Sequence, residues 1–315
     1  MAKLKALLLT EGMHGMISQV EGMAKALKTD FSHKTVRLSF PWNLIPPKFT
    51  PISNIILKDK IYIDDNKIPD LIISCGRKSV VPSIFLKKKN PKIFTIHIQD
   101  PKVNLRNFDA IVCPEHDSLE GDNIYISKGA IHYITTSEII KAKSYLVDKI
   151  KSDKIVSLIL GGPNKYYKFD KNQLVTIFNT IKSKFVSKGY KIIVIPSMRT
   201  PREIIDLATK EIGESGYVEN KVDKQAYLSA YALAEYIVVT CDSISMISEA
   251  ATSGKPIFVA HMKAKKNNYR FKRFLDLFKK IGITRDLGEN IETWSYDKYN
   301  ESQRIALELK NKIEK

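Results

Sequence analysis

The residues Thr240-Cys241-Asp242-Ser243-Ile244-Ser245, with Glu249 further on, form the most informative chemical pattern in the sequence. An apolar run ends there, and Asp242, Ser243 and Ser245 gather donors at a helix start, where free N–H groups and a partial positive charge attract an anion. That is a cradle for a diphosphate. Glu249 falls about one and a half turns into the helix, where its carboxylate could accept from a ribose hydroxyl. A helix that is merely capped has the same composition. Two other turns in this half carry related chemistry. In Gly161-Gly162-Pro163-Asn164, paired glycines after a buried run permit close approach by a ligand or by an opposing domain. In Pro196-Ser197-Met198-Arg199-Thr200-Pro201, Ser197, Arg199 and Thr200 are donors suited to a phosphate or acid group, while Pro201 also starts a helix well.

The first half has its own set. Thr10-Glu11-Gly12-Met13-His14-Gly15 is a glycine-bearing turn before a helix. Gly12 and Gly15 make only a fragment of a dinucleotide fingerprint, so a structural tight turn explains them equally well. His14 offers an imidazole as a catalytic base, or is an ordinary loop histidine. In Ser74-Cys75-Gly76-Arg77-Lys78-Ser79, the residues Gly76, Arg77 and Ser79 could hold a carboxylate or phosphate, or form a plain turn with two solvated cations. His97, Asp100, Glu115, His116 and Asp117 stand at two further strand ends. Their spacings match no metal motif, so hydrogen bonding in a cleft is expected and no metal. Cys75, Cys113 and Cys241 lie far apart without a CxxC pair, which argues against a zinc site or a disulfide framework and for a reducing, cytoplasmic setting.

Such turns need strands behind them and helices after them. Short β-rich runs do alternate with longer segments of helical period, the pattern of parallel βαβ units. Strands are expected at 4–9, 55–63, 71–74, 92–98, 110–113 and 123–126. Helices are expected at 15–27, with Ile17, Val20, Ala24 and Leu27 on one face, and from a Ser137 cap to about residue 150. The alternation restarts at 155–160 and continues with a helix at 170–186, a strand at 191–195, a helix after Pro201, a strand at 236–240, a helix at 243–252 and a strand at 256–259. This predicts an α/β protein of two Rossmann-like domains, 1–150 and 151–290, with parallel sheets facing across a cleft. Residues 291–315 end in a helix that returns to the first domain. Ligands are expected beyond the carboxyl ends of the strands.

The chain has 315 residues, of which 43% are hydrophobic, enough for two cores. Its net charge is +17, but 42 of its 51 basic residues are lysine, and no aromatic stripe accompanies them, so no nucleic-acid partner is expected. Apolar runs such as 6–9 and 155–160 are far shorter than the roughly 18 residues of a spanning helix. From Lys263 to Lys280, eight basic residues accompany one acid, and Phe271, Phe274, Leu275, Phe278 and Ile281 recur at helical spacing. This helix either lies on an anionic membrane or packs its aromatic face into a core with a solvated lysine face.

Taken in order, TEGMHGMISQ (10–19), DLIISCGRKS (70–79), HIQDP (97–101), PEHD (114–117), KGAIH (128–132), GGPN (161–164), PSMRTP (196–201) and TCDSISMISEAATSGKP (240–256) resemble the mitochondrial fission family named for the elongated-mitochondria protein of plants, which has many bacterial members. The resemblance runs over most of the chain. It implies a fold similar to GT-B glycosyltransferases, whose C-terminal domain binds a nucleotide-sugar donor without an essential metal or other cofactor. The implied donor site is Gly161, Gly162, Ser197, Arg199, Ser243, Ser245 and Glu249, joined by Thr200 and Asp242 from the same turns. The implied acceptor side is Gly12, Gly15, Gly76 and Arg77, with Asp100 and Glu115 at neighbouring strand ends. The family pattern has a histidine directly after the second glycine of the first turn, where this chain has Met16; His14 lies two positions earlier. Two functions follow from the resemblance. One is transfer of a sugar from a nucleotide donor to a cell-envelope acceptor. The other is a non-catalytic adaptor on a membrane surface that recruits a fission or division partner, with peripheral contact through Lys263 to Lys280 on the inner face of the membrane.

Overall fold

A computed structural model describes residues 3–64, 67–288 and 290–313, in two compact units: Met1–Tyr133 with Glu301–Lys315, and Ile134–Asn300. The first unit is built on β1 (Lys5–Thr10), β2 (Asp30–Thr35), β3 (Leu71–Cys75), β4 (Phe94–Ile98), β5 (Ala110–Pro114) and β6 (Ile124–Ser127), with helices α1 (His14–Ala26) and α2 (Val80–Lys89). All its strand pairs are parallel, in the order β2-β1-β3-β4-β5-β6. Successive strand residues point to opposite faces, so Leu8 and Ile73 join α1 in one core while Leu9 and Ile72 join α2 in another.

The second unit begins with α3 (Thr136–Lys141) and α4 (Val147–Ile150). Its strands are β7 (Ile155–Leu160), β8 (Lys191–Pro196), β9 (Gly216–Val218), β10 (Tyr236–Thr240), β11 (Ile257–Ala260) and β12 (Thr284–Asp286). They alternate with α5 (Lys171–Lys184), α6 (Arg202–Ile212), α7 (Lys224–Leu233), α8 (Ile244–Ala251) and α9 (Tyr269–Lys280). This sheet too is wholly parallel, in the order β12-β11-β10-β7-β8-β9. Every residue of β7 and β10 is buried, as expected of central strands covered on both faces. The last helix, α10 (Glu301–Ile313), packs Ile305, Ala306 and Leu309 against α1 in the first unit. Its buried Glu301 accepts from the Lys128 N–H at 2.8 Å and is gripped through both oxygens by Arg304, 2.7 Å each.

Three expectations change. The unit boundary falls at residue 133 rather than 150, because Leu146 N–H donates to Ser229 Oγ and Ser229 Oγ reaches the Lys143 carbonyl, which binds the 143–150 stretch to α7. The helix start is Thr135, whose hydroxyl and Glu138 form a reciprocal capping box, not Ser137. The stretch 55–63 is no strand: Asn54 bonds the backbone of Ile61 through both side-chain heteroatoms and folds the chain back, so Ile56 and Ile61 reach the core from a turn. The edge place beside β1 goes instead to β2, a polar segment exposed at all six positions. No helix among the described residues is long and apolar enough to cross a membrane.

Candidate functional site

In the second sheet, β8 and β9 lie on one side of β7, while β10, β11 and β12 lie on the other. The connections therefore diverge between β7 and β10, and at such a switch point a crevice opens beyond the carboxyl ends of the strands. Gly161 leaves β7 there and Asp242 leaves β10. The Asp242 carboxylate, fully buried, organises the turns around it. Its Oδ1 accepts from Thr240 Oγ1 at 2.7 Å, and its Oδ2 from Gly162 N–H at 3.1 Å and Arg199 Nη2 at 2.9 Å. Burial pushes this carboxyl up, against the pull of the Thr240 hydrogen bond and the Arg199 charge. Arg199 also donates from Nη1 to the Gly162 carbonyl at 3.1 Å, so its guanidinium is held flat while its outer N–H groups stay uncommitted to these two partners.

The two glycines are required by this network. A Cβ on Gly161 would collide with the Asp242 carboxylate, and one on Gly162 with the Arg199 carbonyl. The protein's own groups, rather than a ligand, thus account for both. Thr200 Oγ1 accepts from Ser197 N–H at 2.8 Å and reaches back to the Gly161 carbonyl, closing the β8 turn onto the β7 turn. Ser243 caps α8 through its hydroxyl, which accepts from Met246 N–H at 3.3 Å, and Ser245 stands exposed in the first turn. Asn164, absent from the expected donor set, ties the site together: its Nδ2 donates to the Asp242 carbonyl, and its Oδ1 accepts from the N–H groups of Tyr166 and Tyr167. An asparagine three positions past a strand, taking the backbone two residues on, is the signal that would have singled it out.

Glu249 is apart from this cluster. It accepts from Tyr227 on α7 at 2.6 Å, and Tyr227 stacks edge-on against Tyr231 at 4.7 Å. Burial raises its carboxyl to about 7, with the Tyr227 hydrogen bond and Lys224 pulling the other way.

In the first sheet the switch lies between β1 and β3. Gly12 has φ +85° beside Thr35, and Gly76 has φ +93° with Met16 and Glu11 packed where a side chain would begin. Glu11 spans the gap, accepting from Lys78 N–H at 3.1 Å and pairing with its ammonium at 3.1 Å. Around Gly15 there is open space. Arg77 turns elsewhere: its Nη1 and Nη2 donate to the carbonyls of Ile45 and Asn43 at 3.0 and 2.5 Å. His14 is exposed at the start of α1, its ring edge toward Tyr133. Asp100 pairs with Lys102, which holds its carboxyl below the usual range despite burial. Glu115 is exposed on a separate turn. His97 is fully buried, donor or acceptor to Ser74 Oγ at 2.9 Å, and burial drives its imidazole down to about 3, so it is a neutral core residue rather than a cleft ligand. The described residues hold no cluster of metal-ligating side chains. Burial lifts the Cys75 and Cys113 thiols to about 12.

The aromatic face of α9 is also settled. Phe271, Phe274 and Phe278 are buried, Phe271 against Tyr166 and Tyr167 and Phe278 against Tyr299. They face the core, which leaves only the cations outside.

Searches by fold and by sequence place this geometry. Among solved structures, the UDP-GlcNAc 2-epimerase of Methanocaldococcus jannaschii superposes with a TM-score of 0.53 at 13% identity, over 98% of this chain and 99% of that one. The Neisseria meningitidis UDP-GlcNAc 2-epimerase bound to UDP-GlcNAc gives 0.52 at 12%, over 98% and 100%. A UDP-glucosyltransferase from Polygonum tinctorium gives 0.51 at 9%, over 99% and 90%. The fold is therefore GT-B-like. In sequence, the mitochondrial fission protein ELM1 of Arabidopsis thaliana is 24% identical over 78% of this chain, a match that spans 64% of the plant protein's own length. An uncharacterized protein of Rickettsia prowazekii is 26% identical over 91% of this chain and 92% of its own. With residues 14–313 matching the family model described as mitochondrial fission ELM1, the chain belongs to that family.

Proposed function

We propose that the second unit binds a nucleotide-sugar and that the protein transfers the sugar to a cell-envelope acceptor held by the first unit, working in the cytoplasm. The observation that carries this reading is the meeting, at the β7/β10 switch point, of a rigidly held Arg199 with the N-terminus of α8. A diphosphate placed there takes the outer N–H groups of Arg199 and the first-turn N–H groups that the Ser243 cap leaves over. The same donors stabilise the nucleoside diphosphate as it leaves, which is where charge develops during sugar transfer. They do this without a metal. Glu249, in its ionised form, accepts from a ribose hydroxyl. That a structure sharing the fold is a complex with UDP-GlcNAc makes uridine nucleotide-sugars the first to try.

The adaptor reading has one observation in its favour: Arg199 is already neutralised by the buried Asp242, which lessens its pull on a phosphate. Titration with uridine, guanosine, adenosine and cytidine nucleotides and their sugars, followed by thermal midpoint, separates the two, because a ligand of the native state raises the midpoint. A rise with one base that Arg199→Ala and Ser243→Ala both diminish supports the donor site. No rise with any of them returns the adaptor.

A further inference from the structure

The strongest unexplained feature lies in the first unit, between β2 and β3. The antiparallel bridge Leu38↔Leu57, with Ser39 N–H donating to the Ile56 carbonyl at 2.9 Å and Lys58 N–H to the Arg37 carbonyl at 2.8 Å, closes the neck of a loop. Beyond that neck the loop presents Phe40 at 79% exposure, Leu44 at 70%, Phe49 at 67% and Ile55 at 72%. So much apolar surface on one loop calls for a partner.

The loop is a built element. Trp42 and Leu38 anchor it in the core beside β1, and Arg77 clamps the carbonyls of Asn43 and Ile45. Its backbone is largely self-sufficient: Asn43, Leu44, Phe49, Thr50 and Ser53 donate their N–H groups to carbonyls within the loop, and positions 41, 46, 47 and 51 are prolines with no N–H to satisfy. A protein partner could supply missing hydrogen bonds; a bilayer cannot, and demands this kind of closure. Charge points the same way. Residues 40–57 contain no carboxylate and one cation, Lys48, whose ammonium lies 4.7 Å from the Phe49 ring centre, in a chain of net charge +17. Anionic leaflets attract such a surface, and aromatic and aliphatic tips enter the headgroup boundary.

We propose that the loop 39–56 inserts its apolar tips into an anionic lipid bilayer and so seats the first unit on a membrane. This stands independently of the nucleotide reading. It also differs in kind from contact through the α9 lysines, whose phenylalanines are buried and which could bind lipid by charge alone.

Salt separates the two, since screening removes surface electrostatics and leaves apolar insertion. The full chain is sedimented with vesicles of phosphatidylglycerol and phosphatidylcholine, at low salt and at about 0.5 M salt. Binding is expected to persist at high salt and to fall about tenfold or more for each tip removed in Leu44→Ser, Phe49→Ser and Ile55→Ser, singly and combined. The triple variant should keep its circular dichroism and melting midpoint, because the removed side chains are exposed. In Phe49→Trp, indole emission should shift to the blue on vesicles. The proposal is overturned by absence of binding at low salt. It is equally overturned by binding that ignores the triple variant but vanishes with salt or in Lys265→Gln/Lys266→Gln/Arg270→Gln. Self-association in solution that the triple variant abolishes, with no vesicle binding, would assign the loop to a second copy of the chain.

Discussion

Asp242 is the residue on which the second unit's turns depend, and its chemistry makes two expectations quantitative. Truncation in Asp242→Ala leaves the Gly162 N–H, the Thr240 hydroxyl and the Arg199 charge without their acceptor. An uncompensated charge beside a buried donor costs about 3 kcal/mol or more, read as a lowered urea midpoint; a loss under about 1 kcal/mol would remove Asp242 as the organiser. Glu249 is expected to titrate in the physiological range. Its folded value of about 7 lies above the ordinary 4.5, so the native state holds a proton that the unfolded chain has released. The stability it contributes is present below about pH 4.5 and lost as pH rises through 7, an effect of about 1–3 kcal/mol that Glu249→Gln should abolish in unfolding curves taken from pH 4 to 8. If Glu249 also accepts from a ribose, affinity for a nucleotide-sugar should rise over the same pH span in the native protein and stay flat in the variant. The positions of these residues could be read in the sequence, because glycine, serine and aspartate at a strand-to-helix junction have local causes. What they touch could not. Gly161 is small because of Asp242, Arg77 serves loop carbonyls, and Glu249 bonds a tyrosine one helix earlier, pairings that only the folded chain creates.

At the scale of elements, the all-apolar runs that became β7 and β10 were plain in the sequence, whereas β2, β9 and β12 were not. Those three are short or polar edge segments whose place comes from the ladder of the neighbouring strand, which no periodicity of their own announces. The turn at 54–61 misled for the converse reason: its apolar residues reach the core without a strand. Glycines within α1 show how packing overrules propensity. Alanine is a better helix former than glycine by about 1 kcal/mol, so Gly22→Ala ought to stabilise. A Cβ at Gly22, however, would run into the His132 carbonyl, a main-chain atom that cannot swing aside. Overpacking of this kind costs about 1–3 kcal/mol, so the variant should lose stability on balance. Gly15→Ala is the paired control: its surroundings are open, and it should be neutral or gain up to about 1 kcal/mol. Equal effects at the two positions would show that α1 does not press on the 132–133 backbone.

Over the whole molecule, two sheets with separate cores mean that ligands can be assigned to units by where they protect the chain. The groups proposed to meet a nucleotide-sugar, from Gly161 through Arg199 to Ser243, all leave strands of the second unit, and none belongs to the first. At a nucleotide-sugar concentration about a hundred times its dissociation constant, the native state gains about 2.7 kcal/mol. For a unit of this size each kcal/mol moves the midpoint by about 2–4 °C, so a rise of about 5–10 °C is expected for the transition of the second unit. Hydrogen exchange locates the effect. Amides at the carboxyl ends of β7, β8 and β10 and in the first turn of α8 should become protected, while those after β1 and β3 should not, since the Gly12 and Gly76 turns are reserved for the acceptor. Protection appearing after β1 and β3 with nucleotide-sugar alone would exchange the proposed roles of the two units, and a midpoint that moves with no nucleotide would leave the GT-B-like fold serving a partner rather than a sugar donor.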